Sequence, residues 1–313
     1  MKNILLPVDD SIHSVQALQY LTRMSSDLQD VIYSLFYVQP ILSDYILEEA
    51  QKDPAAMKKL NQMNERNAAL GNDILKRHQE RLMELKVPKE NINLLTRPRQ
   101  QGLAKDIIQQ AYRDSVDAIV MGRRGLSKIQ ESFIGSTTKD VIEHNSDIPV
   151  WVVDNAITSK NILLAVDGST NSIRALDCLL DFVRPNPEFE LTLFHVQPSL
   201  RDCCEIDFTE TQSPEDLEAF AKIIEKADKH CIDNFMGYAR RKLEEKQIHA
   251  DRLKTKTQAT KLNIGRAIID EFTQNDYGTL VVGKRGVDKK FFMGSVSNYL
   301  VSRLENGALW VVP

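Results

Sequence analysis

The sequence contains no long apolar run and no excess of positive charge. Its apolar stretches stay well short of the roughly 20 residues that a membrane-spanning helix needs. Met1-Lys2-Asn3 leads directly into a short strand pattern rather than into the apolar core of a signal peptide. Lys and Arg number 40 against 44 Asp and Glu, a formal net charge of −4, which offers no overall attraction to nucleic acid or to an anionic membrane. We therefore expect a cytoplasmic protein with no nucleic-acid or membrane partner.

Cysteine is also scarce. The four cysteines, Cys178, Cys203, Cys204 and Cys231, all fall in the second half and lack the spacing of a disulfide framework. Acidic residues flank the pair at 203 and 204, but the paired Cys-x-x-Cys spacing of a zinc site is absent. Cys231 lies on the apolar stripe of a predicted helix. We expect reduced thiols and no metal site.

Groups arranged for catalysis are missing as well. The sequence has no Gly-Lys-Ser/Thr phosphate loop and no Ser, His and acid that can be placed in one crevice. His195 stands between Phe194 and Val196 inside a strand pattern, which is typical of a packed histidine. The sequence therefore favours a binding protein and predicts no catalytic residue.

What the sequence does contain is a copy of itself. Lys2–Leu18 recurs as Lys160–Leu176 with 11 of 17 positions identical, and Pro149–Val153 resembles Ala308–Val312 near the end of the chain. A repeat of this size is a duplicated domain rather than a short solenoid unit. We predict a first domain over residues 1–154, a polar linker over 155–159 and a second domain over 160–313.

Strand patterns alternate with helix patterns inside each half. In the first half, strands are predicted at about 3–8, 31–38, 91–96, 118–121 and 150–153, and helices at 12–21, 63–85, 102–114 and 137–144, with a polar excursion at 42–61. The second half repeats this order, with a long helix at about 214–243 and a strand at 279–282. Such alternation predicts an α/β fold: two tandem flavodoxin- or Rossmann-like domains, each a five-stranded, mainly parallel sheet with helices on both faces.

One stretch, 121–138, combines glycines with hydroxyl and basic side chains. Gly122 and Gly125 follow an apolar strand, Arg123 and Arg124 lie between them, and Gly135 precedes a predicted helix start. Glycines let backbone N–H groups approach a ligand, and the first N–H groups of a helix are unpaired, so this stretch suits an anion such as a phosphate chain. The alternative is a glycine turn that only links the strand to the helix.

These residues resemble those of the universal stress protein family, whose ATP-binding members carry Gly, two residues, Gly, nine residues, then Gly-Ser/Thr. Gly122 and Gly125 are followed by nine residues and then Gly135-Ser136, so the first half matches in full. The acidic end of the first strand is matched by Asp9 and Asp167. Nearly the whole chain takes part in the resemblance, which implies that the two domains pair as an intramolecular pseudo-dimer.

The resemblance also implies an adenine-nucleotide pocket. The family pattern places the following residues of the first half in it: Pro7, Val8, Asp9, Val38, Met121, Gly122, Arg124, Gly125, Gly135, Ser136, Thr137 and Thr138. The counterparts in the second half are Ala165, Val166, Asp167, Val196, Val282, Gly283, Arg285, Gly286, Gly294, Ser295 and Val296. The expected ligand is ATP, ADP or AMP, with Mg²⁺ as a candidate counter-ion. Asp9 and Asp167 have an alternative role as helix-capping acids.

The second half departs from this pattern. Only seven residues, 287–293, separate Gly286 from Gly294-Ser295. Two missing residues shift the anion donors by several ångströms, because an extended residue spans about 3.3 Å. The loop length therefore ranks the first site above the second.

Three functions agree with these patterns. The first is a stress-response regulator that binds an adenine nucleotide and contacts a protein partner in a nucleotide-dependent way, with further homodimerisation open. The second is a slow ATPase or nucleotidyl-transfer enzyme, which rests on fold-level analogy. The third is a ligand-free interaction protein that uses the insertions at 42–61 and 200–214.

Overall fold

The structure is a computed structural model that describes residues 1–26, 28, 30–41, 44–125, 134–183, 188–199, 214–259, 263–285 and 293–313. Within these residues the chain divides into two compact units, Met1–Asn155 and Ala156–Pro313. Both units have the same order of elements.

The first unit has five strands and five helices among its described residues. The strands are β1 Lys2–Pro7, β2 Val31–Gln39, β3 Ile92–Pro98, β4 Ala118–Gly122 and β5 Val150–Val153, and the helices are α1 Ile12–Met24, α2 Asp44–Ala50, α3 Pro54–Glu84, α4 Leu103–Arg113 and α5 Ser136–His144. The strands lie in the order β3-β2-β1-β4-β5. Each neighbouring pair is parallel, for example Leu6 opposite Leu35 and Met121 opposite Val152.

The second unit repeats this arrangement. Its strands are β6 Asn161–Val166, β7 Glu190–Gln197, β8 Leu253–Ala259, β9 Thr279–Gly283 and β10 Ala308–Val312, and its helices are α6 Thr170–Val183, α7 Pro214–Glu245, α8 Ile264–Gln274 and α9 Ser295–Arg303. The order is β8-β7-β6-β9-β10, again with parallel neighbours. The predicted α/β fold with a parallel sheet in each half is confirmed.

The polar excursion predicted at 42–61 was wrong. Residues Asp44–Ala50 form α2, and α3 begins at Pro54 rather than near Met63. Asp53 caps α3 by accepting a hydrogen bond from the N–H of Ala55 at 2.8 Å, and Pro54 occupies the first turn, where its missing N–H costs nothing. Leu60 is the only buried residue of α3 before Gly71, so the first turns give a weak apolar signal.

Each sheet forms the core of its unit because its central strands are buried on both faces. Residues 4–6 of β1, 118–121 of β4, 162–164 of β6 and 279–282 of β9 are buried, as expected for strands covered by helices on both faces. Trp151 of β5 packs edge-to-face on Tyr20 of α1, with ring centroids 6.4 Å apart, and Trp310 of β10 packs likewise on Phe182 of α6 at 5.7 Å. Among the described helices, none has the length and apolar character to span a membrane.

Candidate functional site

The point at which the strand order reverses brings the predicted site residues to one edge of each sheet. In the first unit β1 and β4 are neighbours, and the chain leaves them at Pro7 and Gly122. In the second unit β6 and β9 are neighbours and end at Val166 and Gly283. Open parallel sheets bind ligands outside the carboxyl ends of the strands at this switch point.

A cavity of about 460 Å³ occupies this position in the second unit. This volume lies within the range of about 300–1,000 Å³ that is usual for small-molecule sites. Ten residues named from the sequence line it: Ala165, Val166, Asp167, Val196, Val282, Gly283, Arg285, Gly294, Ser295 and Val296. The remaining one, Gly286, lies outside the described residues. The fold therefore gathers these residues, which stand far apart in sequence, around one space.

Two helices that the sequence patterns did not assign to the site, α7 and α8, form the other walls of the cavity. Helix α7 contributes Ile224, Ala227, Asp228 and Cys231, which follow one another at helical spacing. Helix α8 contributes Ile264 and Ile268. The apolar stripe of α7 was visible in the sequence, but the cavity it faces was not, because that depends on how α7 crosses the sheet. The sequence signal for this wall was Asp228, because it is an acid on the otherwise apolar face of α7.

His195 forms part of the same wall and is buried, with 4% of its surface exposed. Its Nδ1 lies 2.9 Å from the carbonyl oxygen of Val166, and its Nε2 lies 2.9 Å from Oδ2 of Asp228. A carbonyl only accepts, so Nδ1 carries a hydrogen, and a further proton must lie between Nε2 and the carboxyl group. Both ring nitrogens are thus engaged, which leaves His195 no free nitrogen to act as a general base.

The acids at the ends of β1 and β6 have the same surroundings. Oδ1 of Asp167 accepts hydrogen bonds from the N–H of Ser169 at 3.0 Å and from Oγ of Ser172 at 2.7 Å. Asp9 repeats this pattern with Ser11 and Ser14. One carboxylate oxygen therefore orders the start of the following helix. Asp167 also lines the cavity, so the capping and site roles considered for these acids are compatible.

The first glycine of each motif has a packing role. A Cβ on Gly122 would lie 2.6 Å from Cβ of His13 on α1, and a Cβ on Gly283 would lie 2.8 Å from Cβ of Asn171 on α6. These contacts are closer than side chains allow, so glycine lets the helix approach the strand end. Gly125 differs, because its nearest neighbour would be Oδ2 of Asp9 at 2.9 Å. This places Gly125 and Asp9 side by side at the switch point.

Two donors expected to hold phosphate are already used within the protein. The N–H of Gly135 donates to the carbonyl oxygen of Arg123 at 2.8 Å, and Oγ1 of Thr138 donates to the carbonyl oxygen of Gly122 at 3.0 Å. These two hydrogen bonds tie the glycine turn to α5. The N–H groups of Ser136 and Thr137, in the first turn of α5, remain without intrahelical partners.

The sequence profile of the universal stress protein family matches the chain twice, over residues 1–154 and over residues 158–312. The chain belongs to the universal stress protein family.

Solved structures agree with this assignment at the level of fold. A universal stress protein from Archaeoglobus fulgidus DSM 4304 has 18% sequence identity and a TM-score of 0.62, over 99% of this chain and 97% of that one. A functionally unknown protein from Pseudomonas aeruginosa PAO1 has 13% identity and a TM-score of 0.61, over 100% and 92% of the two chains. A search of the curated proteins finds no match.

The first universal stress protein domain has the full glycine spacing, but the residues around its predicted pocket differ from those around the cavity of the second domain. Pro7, Val8, Val38 and Met121 lie at or next to the ends of β1, β2 and β4. Nε2 of His78 on α3 donates to the carbonyl oxygen of Asp9 at 2.9 Å. Burial lowers the pKa of His78, and the hydrogen bond to Asp9 partly opposes this shift.

Tyr37 occupies in the first domain the position that His195 has in the second. Its ring lies against α3, where a Cβ on Gly71 would be 2.7 Å from the ring. Burial raises the pKa of Tyr37, and the charges of Asp9 and Asp10 raise it further. Tyr37 is therefore a neutral hydroxyl close to the predicted pocket.

Neither domain presents a metal site among its described residues, where no group of three or more His, Cys, Asp and Glu side chains is placed to hold an ion. Cys203 and Cys204 are outside the described residues. Among the described residues, neither Cys178 nor Cys231 takes part in a disulfide.

Proposed function

We propose that this universal stress protein binds ATP or a related adenine nucleotide in the cytoplasm and regulates a stress response through nucleotide-dependent contacts with a protein partner. The observation that carries the proposal is the cavity of about 460 Å³ in the second domain. It is bounded by the glycine motif, an acid and apolar strand ends, which are the groups that the family resemblance assigns to nucleotide binding.

The chemistry of the cavity supports an adenine nucleotide. Phe194, Val196 and Ile268 provide apolar surface suited to a flat base. Arg285 and the first residues of α9 also line the cavity, and the unpaired N–H groups and positive end of the dipole of α9 favour a phosphate. Asp167 offers a carboxylate oxygen to ribose hydroxyls. Base, sugar and phosphate thus have complementary groups within one space.

Binding rather than turnover is the proposed activity. The hydrogen bonds of His195 occupy both of its ring nitrogens, so the histidine in the cavity wall is not placed to activate a water molecule. Nucleotide binding instead biases the protein between conformations that differ in affinity for a partner, which requires only a few kcal/mol of differential binding free energy.

Calorimetric titration of ATP, ADP and AMP into the full chain, with and without Mg²⁺, tests the proposal. Ala227→Trp places a large ring at the exposed mouth of the cavity and is expected to weaken binding at least tenfold. Ala221→Trp, on an exposed position of the same helix that does not line the cavity, is the matched control. Absence of binding of all three nucleotides at millimolar concentration would overturn the proposed function.

Variants of Gly122 do not provide a clean test. The position of His13 shows that any side chain at 122 disturbs the packing of α1 on β4, so loss of binding in such a variant would not distinguish a binding defect from a folding defect. Mutations at the cavity mouth avoid this problem.

A further inference from the structure

The arginine that follows β4 is neutralised by an acid at the end of β5. Nη2 of Arg124 lies 3.0 Å from Oδ1 of Asp154, and the two side chains are 20% and 4% exposed. A hydrogen-bonded pair of this kind, shielded from water, holds the guanidinium in place and satisfies much of its charge. A phosphate arriving at Arg124 would have to compete with this fixed carboxylate.

The second domain has the arginine without the acid. Gly283-Lys284-Arg285 corresponds to Gly122-Arg123-Arg124, and the backbone register agrees, because the N–H of Arg123 donates to Val153 and the N–H of Lys284 donates to Val312. The residue after Val153 is Asp154, whereas the residue after Val312 is Pro313. At this position the second domain has a proline side chain in place of the acidic side chain that neutralises the arginine of the first.

Arg285 is consequently available to a ligand. It lines the cavity, and its side chain forms no ion pair with any described residue of the chain. Its Nε is buried and has no hydrogen-bond partner within the same set, which is also true of Nε of Arg124, so the two arginines differ in the ion pair alone. A guanidinium at a cavity wall loses part of its hydration, which costs free energy when no opposite charge is nearby. An anionic ligand offsets this cost by pairing with the guanidinium.

The acids at the first strand reinforce the difference. The first domain has two adjacent acids after β1, Asp9 and Asp10, of which Asp10 pairs with Arg77 at 3.0 Å. The second domain has Asp167 followed by Gly168. The first site therefore has one more acid after its first strand and a neutralised arginine, whereas the second has Asp228 in its cavity wall, hydrogen-bonded to His195, and an arginine open to the cavity.

We propose that the anion-binding site of this protein is in the second domain, where Arg285 binds a phosphate chain. In the first domain, the carboxylate of Asp154 pairs with the corresponding arginine, Arg124, in place of a phosphate. The identification of the ligand as an adenine nucleotide rests on the proposed function. The choice of domain rests on the ion pair that neutralises Arg124 and that Arg285 lacks among the described residues. This order is the reverse of the one that loop length favours.

Calorimetric titrations of the full chain with ATP and with inorganic tripolyphosphate test the inference. One ATP per chain is expected, and Arg285→Gln should weaken ATP and tripolyphosphate at least tenfold, because a charge-assisted contact is lost. Arg124→Gln is the matched control and should leave both affinities within about twofold. Arg124→Lys, which keeps the charge beside Asp154, serves the same purpose if the glutamine variant does not fold.

The outcomes separate the two proposals. Tripolyphosphate binding that depends on Arg285, without ATP binding, would uphold the inference and overturn the nucleotide function. ATP binding that survives in Arg285→Gln, that is lost in Arg124→Gln, or that reaches two sites of similar affinity per chain would overturn the inference and leave nucleotide binding intact. Failure of the wild-type chain to bind either probe at millimolar concentration would overturn both.

Discussion

Nε2 of His195 on β7 lies 2.9 Å from Oδ2 of Asp228 on α7, and the two side chains are 5% and 13% exposed. The other ring nitrogen is bound to the carbonyl oxygen of Val166 on β6. One imidazole therefore joins a helix to two strands at the edge of the cavity. Because both side chains are largely shielded from water, removal of either one leaves the other without a hydrogen-bond partner.

We expect Asp228→Ala to lower the free energy of unfolding of the second domain by about 1–3 kcal/mol, since Nε2 of His195 would lose its partner. The chain has two tryptophans, one in each domain, so Trp151→Phe makes Trp310 fluorescence a reporter of the second domain in urea unfolding. Asp233→Ala, at an exposed position of the same helix, is the control. Equal stabilities of the two alanine variants would contradict the role given to Asp228.

The stability of the first domain should fall at acid pH through His78. Burial lowers its pKa in the folded domain, whereas the unfolded chain has the ordinary value of 6.5. Below about pH 6.5 the unfolded chain therefore binds a proton that the folded domain does not, so the contribution is complete above this pH and is lost as the pH falls. One proton sets an upper limit of about 1.4 kcal/mol per pH unit.

Urea unfolding between pH 7.5 and 5.5, followed by Trp151 in a Trp310→Phe background, measures this effect. His78→Gln is expected to retain more of its stability over this interval than the parent protein. His144→Gln, which changes an exposed histidine in the same domain, is the control. Identical pH slopes for the parent and His78→Gln would argue against the prediction.

Substitution by alanine should lower the free energy of unfolding at one glycine and raise it at another. At Gly122 the new Cβ would lie 2.6 Å from Cβ of His13, and we expect a loss of about 1–3 kcal/mol from overpacking. At Gly237, inside α7, the nearest atom would be 3.9 Å away. Alanine there should stabilise the second domain by about 0.5–1 kcal/mol, because glycine is a poor helix former. Thermal unfolding of both variants tests the contrast, and a stable Gly122→Ala protein would refute the packing role.

Asp106 should stabilise the entry into α4. It is buried, and its two carboxylate oxygens accept hydrogen bonds from the N–H groups of Gln100 and Gln101 at 2.9 and 3.0 Å. Asp106→Ala is expected to cost the first domain about 1–2 kcal/mol in urea unfolding, because two backbone donors lose a charged acceptor. Asp140→Ala, at an exposed position of α5, is the control, and a comparable loss in that variant would show that the effect is not specific to Asp106.

The alternation of strands and helices could be predicted because it depends on local patterns. The buried runs at β4 and β5 and the spaced apolar residues of α1 were sufficient to place these elements. The start of α3 was missed because its first turns are mostly exposed, with Leu60 the only buried residue before Gly71. The capping pair Asp53-Pro54 was the local signal for that boundary.

The sequence by itself determined the duplicated domain and the parallel sheet, because periodicity and repetition are properties of the chain, and the family resemblance named the residues expected at each switch point. Only the tertiary structure placed Asp228 beside His195, Asp154 beside Arg124 and Arg285 on an open cavity. Each of these relationships joins residues of different elements, and a distance of about 3 Å between them depends on how those elements pack. The glycine loops differ by two residues in length, and the two sites differ further in the charge that the fold brings next to each arginine.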